Sequence, residues 1–209
     1  MKKTTIKNRM GKQKRLVIGV TGSIGSGKSS AARYIGKCGF AVLDVDHIYD
    51  EISGKGSAIQ KKIVREFGEW AVVKGKLNRV ALREVVFKDR KKLKQLNSIT
   101  HPYIIKETLK RLKKTKGDVA LDVALLIETG FHNICGYVIL VHCPTQIVVK
   151  RLWKYRKMPK SQVLAILKAQ IPSAKKRKHA DFAVNTGGSY ARTYAQLNRI
   201  LKTIKNGKR

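Results

Sequence analysis

The stretch Leu16-Val17-Ile18-Gly19-Val20-Thr21-Gly22-Ser23-Ile24-Gly25-Ser26-Gly27-Lys28-Ser29-Ser30 decides the fold. Its first part, Leu16 to Val20, is a short apolar run that reads as a buried strand. A turn rich in glycine and serine follows, and then the helical pattern Ser29 to Lys37. Within it, Gly22 to Ser29 fits G-x-x-x-x-G-K-[ST] at every fixed position. The chemistry explains the pattern. Glycines let successive backbone N–H groups turn inward as a nest for phosphate oxygens, and the next helix aims its positive end at the same anion. Lys28 then reaches the terminal phosphates of a nucleotide, and the Ser29 hydroxyl holds Mg²⁺. Gly22, Ser23, Ile24, Gly25, Ser26, Gly27, Lys28, Ser29 and Ser30 are therefore the expected nucleotide contacts.

Outward from this loop the chain continues as a parallel α/β sheet. Ala41-Val42-Leu43 reads as the second strand and ends in Asp44-Val45-Asp46. From about Ser57 to Lys114 the apolar spacing is helical, as in Ile59, Ile63 and Phe67, then Leu82, Val85 and Val86. Asn78 reads as an N-cap, and Pro102 as part of the opening turn of a helix. Residues Val119 to Leu126 and Tyr137 to His142 resume the strand pattern. Gln146 to Lys178 reads as basic helices broken near Pro159 and Pro172. Phe182-Ala183-Val184 is a last strand before a closing helix that carries Tyr194, Leu197, Ile200 and Leu201. The expected organisation is a basic tail over 1–14 and one domain over 15–209. A helical substrate lobe is inserted at about 55–115 and a lid at about 146–178.

Composition narrows the setting. The 209 residues are 43% hydrophobic, which excludes a disordered-class chain. No stretch reaches the roughly 18 uninterrupted apolar residues of a membrane span, and no apolar core follows the Lys-rich N-terminus. A cytoplasmic protein without membrane insertion is expected. Three cysteines without CxxC spacing suggest neither a disulfide framework nor a zinc site. The 46 Lys+Arg against 13 Asp+Glu give a formal charge of +33, which either steers polyanions toward the surface or is simply a solvated basic face; it allows non-specific polyanion binding, and no obligatory nucleic-acid partner is expected.

Carboxylates at strand ends are the other signal. Asp44 and Asp46 lie two apart, so on an extended backbone they would share a side. Asp46 is the candidate proton acceptor, with Asp44 orienting the acceptor hydroxyl or serving the metal's surroundings. Equally, one of them caps the next helix. Asp122 in the third strand can be read as a metal-side carboxylate, and Glu128 lies just beyond that strand; a lone carboxylate at either place is as often a cap or a surface group. In the basic segment, Arg151 is the candidate for stabilising charge on a transferring phosphoryl group. Trp153 and Tyr155 interleave with Lys150, Lys154, Arg156 and Lys157, which also suits stacking on bases.

The run Ile18 to Ser30, with Leu43-Asp44-Val45-Asp46 after it, closely resembles the opening of the dephospho-CoA kinases. Later motifs are similar in order: Gly75-Lys76-Leu77-Asn78-Arg79, Leu82-Arg83, Val86-Phe87, His101-Pro102 and Ala124-Leu125-Leu126-Ile127-Glu128. Arg151, Gln170 and Ala180-Asp181 follow. The resemblance implies a nucleoside-monophosphate-kinase-like P-loop fold with a five-stranded parallel core, a helical lobe and a lid. It implies ATP-dependent phosphorylation of the ribose 3′-hydroxyl of dephospho-CoA with Mg²⁺. The implied roles are general base for Asp46, phosphate and metal contacts for Lys28 and Ser29, a lid arginine for Arg151, and acceptor contacts for Asp44, Arg83, His101, Leu125 and Glu128. The chain departs from the family pattern at Ala124, Asn78, Tyr155 and Asn185-Thr186, where Pro, Asp, Arg and Asp-Asn are usual. Two other readings stand beside this one: a P-loop kinase for a nucleoside monophosphate or sugar acid, and a nucleic-acid-binding P-loop ATPase. A monomer or weak oligomer is expected.

Overall fold

The computed structural model describes residues 15–207. The tail expected over 1–14 lies outside them. The described residues divide into two compact units, one of residues 15–43 with 115–207, the other Asp44–Lys114.

The first unit is built on the apolar strand that opened the sequence. Strand β1, Val17–Thr21, is buried along its whole length. Helix α1 (Lys28–Lys37) follows it, then β2 (Ala41–Asp44). After the excursion through the second unit come β5 (Val119–Asp122), β6 (Tyr137–His142) and β7 (Phe182–Asn185). The sheet order is β2-β5-β1-β6-β7, with β1 between β5 and β6, and the β1–β5, β1–β6 and β6–β7 pairs are parallel. A central parallel strand has apolar cover on both faces, which explains why Leu16 to Val20 lacks alternation. Ile18 and Val20 are fully buried, and against them pack Ala31, Ala32 and Ile35 of α1 and Leu197, Leu201 and Ile204 of α9 (Tyr190–Asn206). Each such Ile, Val or Leu side chain contributes about 1.5–3 kcal/mol by leaving water, and the two alanines less. Between β6 and β7 lie α6 (Thr145–Arg156), α7 (Lys160–Ala169) and α8 (Ser173–Arg177), whose breaks fall at the expected prolines.

Four local expectations are corrected. The strand after the insertion is shorter than Val119 to Leu126, because β5 ends at Asp122 and the chain turns through residues 124–130. The second unit is not all helical. Between α3 (Ala58–Phe67) and α4 (Arg79–Lys88) sits a small antiparallel hairpin, β3 (Val72–Val73) and β4 (Lys76–Leu77). Its two turn residues, Lys74 and Gly75, both have positive φ (50° and 75°), the backbone twist that a two-residue hairpin turn requires. Pro102 does not open a helix. It lies inside α5 (Arg90–Lys114), so His101 is also mid-helix. Finally, β2 stops at Asp44 and α2 (Val45–Ile52) begins at once, so Asp44 and Asp46 do not share one side of an extended strand.

The second unit has its own core of Ile59, Ile63, Ala71 and Leu82, flanked by Tyr49, Phe67, Leu96 and Tyr103. Asn78 caps α4 as expected, its side chain accepting from the Ala81 N–H at 3.2 Å.

Candidate active site

The phosphate loop occupies the end of β1 and the first turn of α1. Gly25 and Gly27 adopt φ of 70° and 84°, and Gly27 is the left-handed residue from which α1 starts. At Gly22 the constraint is space, since a Cβ there would lie 2.4 Å from the Val141 carbonyl oxygen and 2.5 Å from Ser26 Oγ. The Ser26 hydroxyl is buried and has no hydrogen-bond partner among the described residues, a polar group held inside the loop. Lys28, only 8% exposed, forms an ion pair with Asp122 at the end of β5, itself 2% exposed. Ser29 is exposed on the first turn of α1, and Ser30 is half-buried beside it.

Thr186, just after β7, ties this loop to Arg151. The Thr186 hydroxyl donates to the Ser26 carbonyl at 2.6 Å. The Arg151 guanidinium reaches Thr186 twice, Nη1 to Oγ1 at 3.2 Å and Nη2 to the carbonyl at 2.5 Å, and Nη1 also approaches Cys143 Sγ at 3.5 Å. Arg151 is thus oriented by a planar fork of contacts, which a lysine could not reproduce. Farther along the same basic segment, the Ile24 N–H donates to Gln170 Oε1 at 3.1 Å, and Ser23 Oγ lies 3.3 Å from Ser173 Oγ. The exposed Trp153 and Tyr155 sit on α6.

Leu125 and Glu128 lie in the turn that leaves β5, and both are half-buried. The Leu125 carbonyl accepts from the Thr129 N–H at 2.9 Å and from its hydroxyl at 2.7 Å, which closes the turn. Glu128 pairs with Lys176 at 3.0 Å.

The remaining predicted residues belong to the second unit. Asp44 is the N-cap of α2, its carboxylate accepting from the His47 N–H at 3.1 Å. Asp46 is exposed in the first turn of that helix, where a carboxylate is favoured by the unpaired N–H groups. Arg83 is exposed on α4, and His101 is half-buried in α5. Two residues that carried little weight in the sequence, Arg79 and Tyr49, pack together within this unit. The Arg79 guanidinium stacks 4.6 Å from the Tyr49 ring centre, pairs with Asp50 and donates to Ser53 Oγ at 3.3 Å. Burial pushes the Tyr49 hydroxyl up from its ordinary value, against a smaller opposing pull from Arg79.

A protein-family model described as dephospho-CoA kinase matches residues 16–191. The chain belongs to the dephospho-CoA kinase family. Among individual relatives, a dephospho-CoA kinase of Bacillus licheniformis is 36% identical over 196 residues, covering 91% of this chain and 98% of the relative. Among solved structures, a protein from Thermus thermophilus is similar with a TM-score of 0.77 and 32% identity, covering 93% of this chain and 98% of that one. The dephospho-CoA kinase from Campylobacter jejuni aligns with a TM-score of 0.63 and 28% identity, over 92% and 98% of the two chains. The α/β fold of this family member, a five-stranded parallel sheet with the phosphate loop between β1 and α1, is that of the P-loop kinases.

Among the described residues no helix is long and apolar enough to cross a membrane. No group of three or more His, Cys, Asp or Glu among them could hold a metal ion. The Ser29 hydroxyl, exposed on the first turn of α1, is an oxygen donor of the kind Mg²⁺ takes beside phosphates and water.

Proposed function

We propose that this protein transfers the γ-phosphoryl group of ATP to the ribose 3′-hydroxyl of dephospho-CoA, giving coenzyme A and ADP, the last step of coenzyme A biosynthesis. The observation that carries this reading is an intact phosphate loop inside a chain that one family model matches from residue 16 to 191.

The backbone N–H groups of Gly22 to Ser30 hold the phosphates, and Lys28 exchanges Asp122 for them. The acceptor oxygen forms its bond to the γ-phosphorus while the bond from that phosphorus to the β,γ-bridging oxygen breaks, and ADP leaves. The hydroxyl proton goes to the Asp46 carboxylate. Arg151 stabilises the charge on the transferring group, as an arginine does in many phosphoryl transfers. Asp44, Arg83, His101, Leu125 and Glu128 hold the acceptor. Of these, Asp44 acts mainly through the start of α2, because its carboxylate is engaged by the His47 N–H. The Ser29 hydroxyl and ATP oxygens would hold Mg²⁺, with Asp122 nearby in the ion pair of Lys28; the metal, when bound, neutralises phosphate charge. The reaction belongs to the cytoplasm, where ATP is available.

The test is ATP consumption by the purified protein with Mg²⁺ and dephospho-CoA, beside an Asp46→Asn variant and a panel of nucleoside monophosphates, sugar acids and RNA. Turnover that depends on dephospho-CoA is expected, falling about 10²–10⁴-fold in the variant. Turnover retained in Asp46→Asn would remove that residue from its role. Activity only with another acceptor, or only with RNA, would overturn the substrate.

A further inference from the structure

Lys176 has the environment of a working part. Its neighbours Lys175, Arg177 and Lys178 are exposed, whereas its own side chain is 0% exposed. A lysine ammonium is withdrawn from water at great cost unless it is paired and hydrogen-bonded. Here Nζ donates to the Ala124 carbonyl at 2.8 Å and pairs with the Glu128 carboxylate at 3.0 Å. Both partners lie in the turn that leaves β5. The Ala124 carbonyl also accepts from the Thr21 hydroxyl at 3.2 Å, so this oxygen joins the end of β1 to α8. Six residues before Lys176, Gln170 accepts the Ile24 N–H, and Ser173 meets Ser23. One short segment therefore grips the phosphate loop at one end and the β5 exit turn at the other.

We propose that Lys176 is a positioning residue: its buried ammonium holds Glu128 and the β5 exit turn in fixed spacing from the phosphate loop. This rests on the reading above, in which Leu125 and Glu128 serve the acceptor. A surface lysine that merely added charge would need neither full burial nor two convergent oxygens. The strut acts on the acceptor side, because the phosphate loop keeps its own contacts to Gln170, Ser173 and Thr186 without it.

The experiment compares wild type, Lys176→Met, Glu128→Gln and the double variant by steady-state kinetics and by amide hydrogen exchange. Lys176→Met is expected to raise KM for dephospho-CoA about 10-fold or more while KM for ATP stays within about 2-fold. Exchange at Thr129 and Gly130 should quicken in this variant, with β1 and β6 unchanged. The double variant should lose less than the sum of the two single losses, because both changes break the Lys176–Glu128 pair and only Glu128→Gln also touches the acceptor. If Lys176→Met does not fold, Lys176→Gln takes its place, and quickened exchange at Thr129 and Gly130 is the deciding readout, because Glu128→Gln would raise KM through the acceptor contact alone. Equal rises in both KM values, independent effects of the two substitutions, or unchanged exchange in the turn would each overturn the proposal. Lack of wild-type turnover would strike the acceptor reading instead, and the exchange experiment would still decide the strut.

Discussion

Replacing Asp122 by Asn tests whether the charge beneath the phosphate loop is held by compensation. The substitution keeps the shape of the side chain and removes only the negative charge from an ion pair whose members are 9% and 2% exposed at their side chains. Solvent cannot replace the lost partner at that exposure. Breaking a buried pair on one side costs about 3–5 kcal/mol, because the remaining charge stays buried. For a chain of this length each 1 kcal/mol lowers Tm by about 2–4 °C, so a drop of about 6–20 °C is expected. The assay is urea and thermal unfolding of the nucleotide-free protein, with Lys28→Met and the double variant Lys28→Met/Asp122→Leu alongside. The double variant should lose much less than the sum of the single losses, since two apolar side chains leave no orphan charge. A loss below about 1 kcal/mol in Asp122→Asn, or additive losses in the double variant, would refute the compensation argument.

Gly22→Ala should abolish nucleotide binding or folding, because the new methyl would meet the Val141 carbonyl oxygen at 2.4 Å, and backbone cannot move aside cheaply; ATP titration of any soluble variant checks this. The Cys135 thiol is pushed up from 9.0 to about 12, first by burial and then by the Asp181 charge. Its thiolate fraction at pH 8 is thus about a thousandfold below that of a free thiol, and Cys38 and Cys143 should react first with a thiol reagent. The folded form holds this proton more tightly than the unfolded one, so the associated stability is full below pH 9 and is lost between about 9 and 12. Equal labelling rates for all three cysteines in the native protein would contradict it.

The parts of the fold that were legible in the sequence are those written locally. The strand, the glycine-bearing turn and the lysine–serine helix start lie within fifteen consecutive residues, and each needs a particular residue type for a steric or electrostatic reason. The cap at Asn78 was legible for the same reason. The β3–β4 hairpin was not, because two-residue strands are too short to show alternation against flanking helical spacing. Pro102 marked a helix start by rule, yet α5 runs through it. Asp44 and Asp46 were read on one extended side because the strand pattern gives no sign of stopping, whereas Asp44 ends it by capping α2. Thr186 drew notice only as a departure from the family pattern, since its bonds to Arg151 and Ser26 join residues 35 and 160 positions away. Lys176 was hidden by its neighbours: in a run of four cations, no sequence signal says which one turns inward.

The strand order has a consequence for how the protein is made. β1 pairs with β5 and β6, and Val17 meets Val119 while Ile18 meets Tyr137. During synthesis, β1 emerges about a hundred residues before either neighbour, a wait of roughly 5–20 s at ordinary elongation rates. Over that interval an apolar strand and its glycine-rich loop have no sheet to join, while Asp44–Lys114, continuous in sequence, has all its own contacts available. The earliest part of the phosphate site to be translated is therefore among the last to be assembled, and the nascent chain is most open to wrong pairing until residue 142 has left the ribosome.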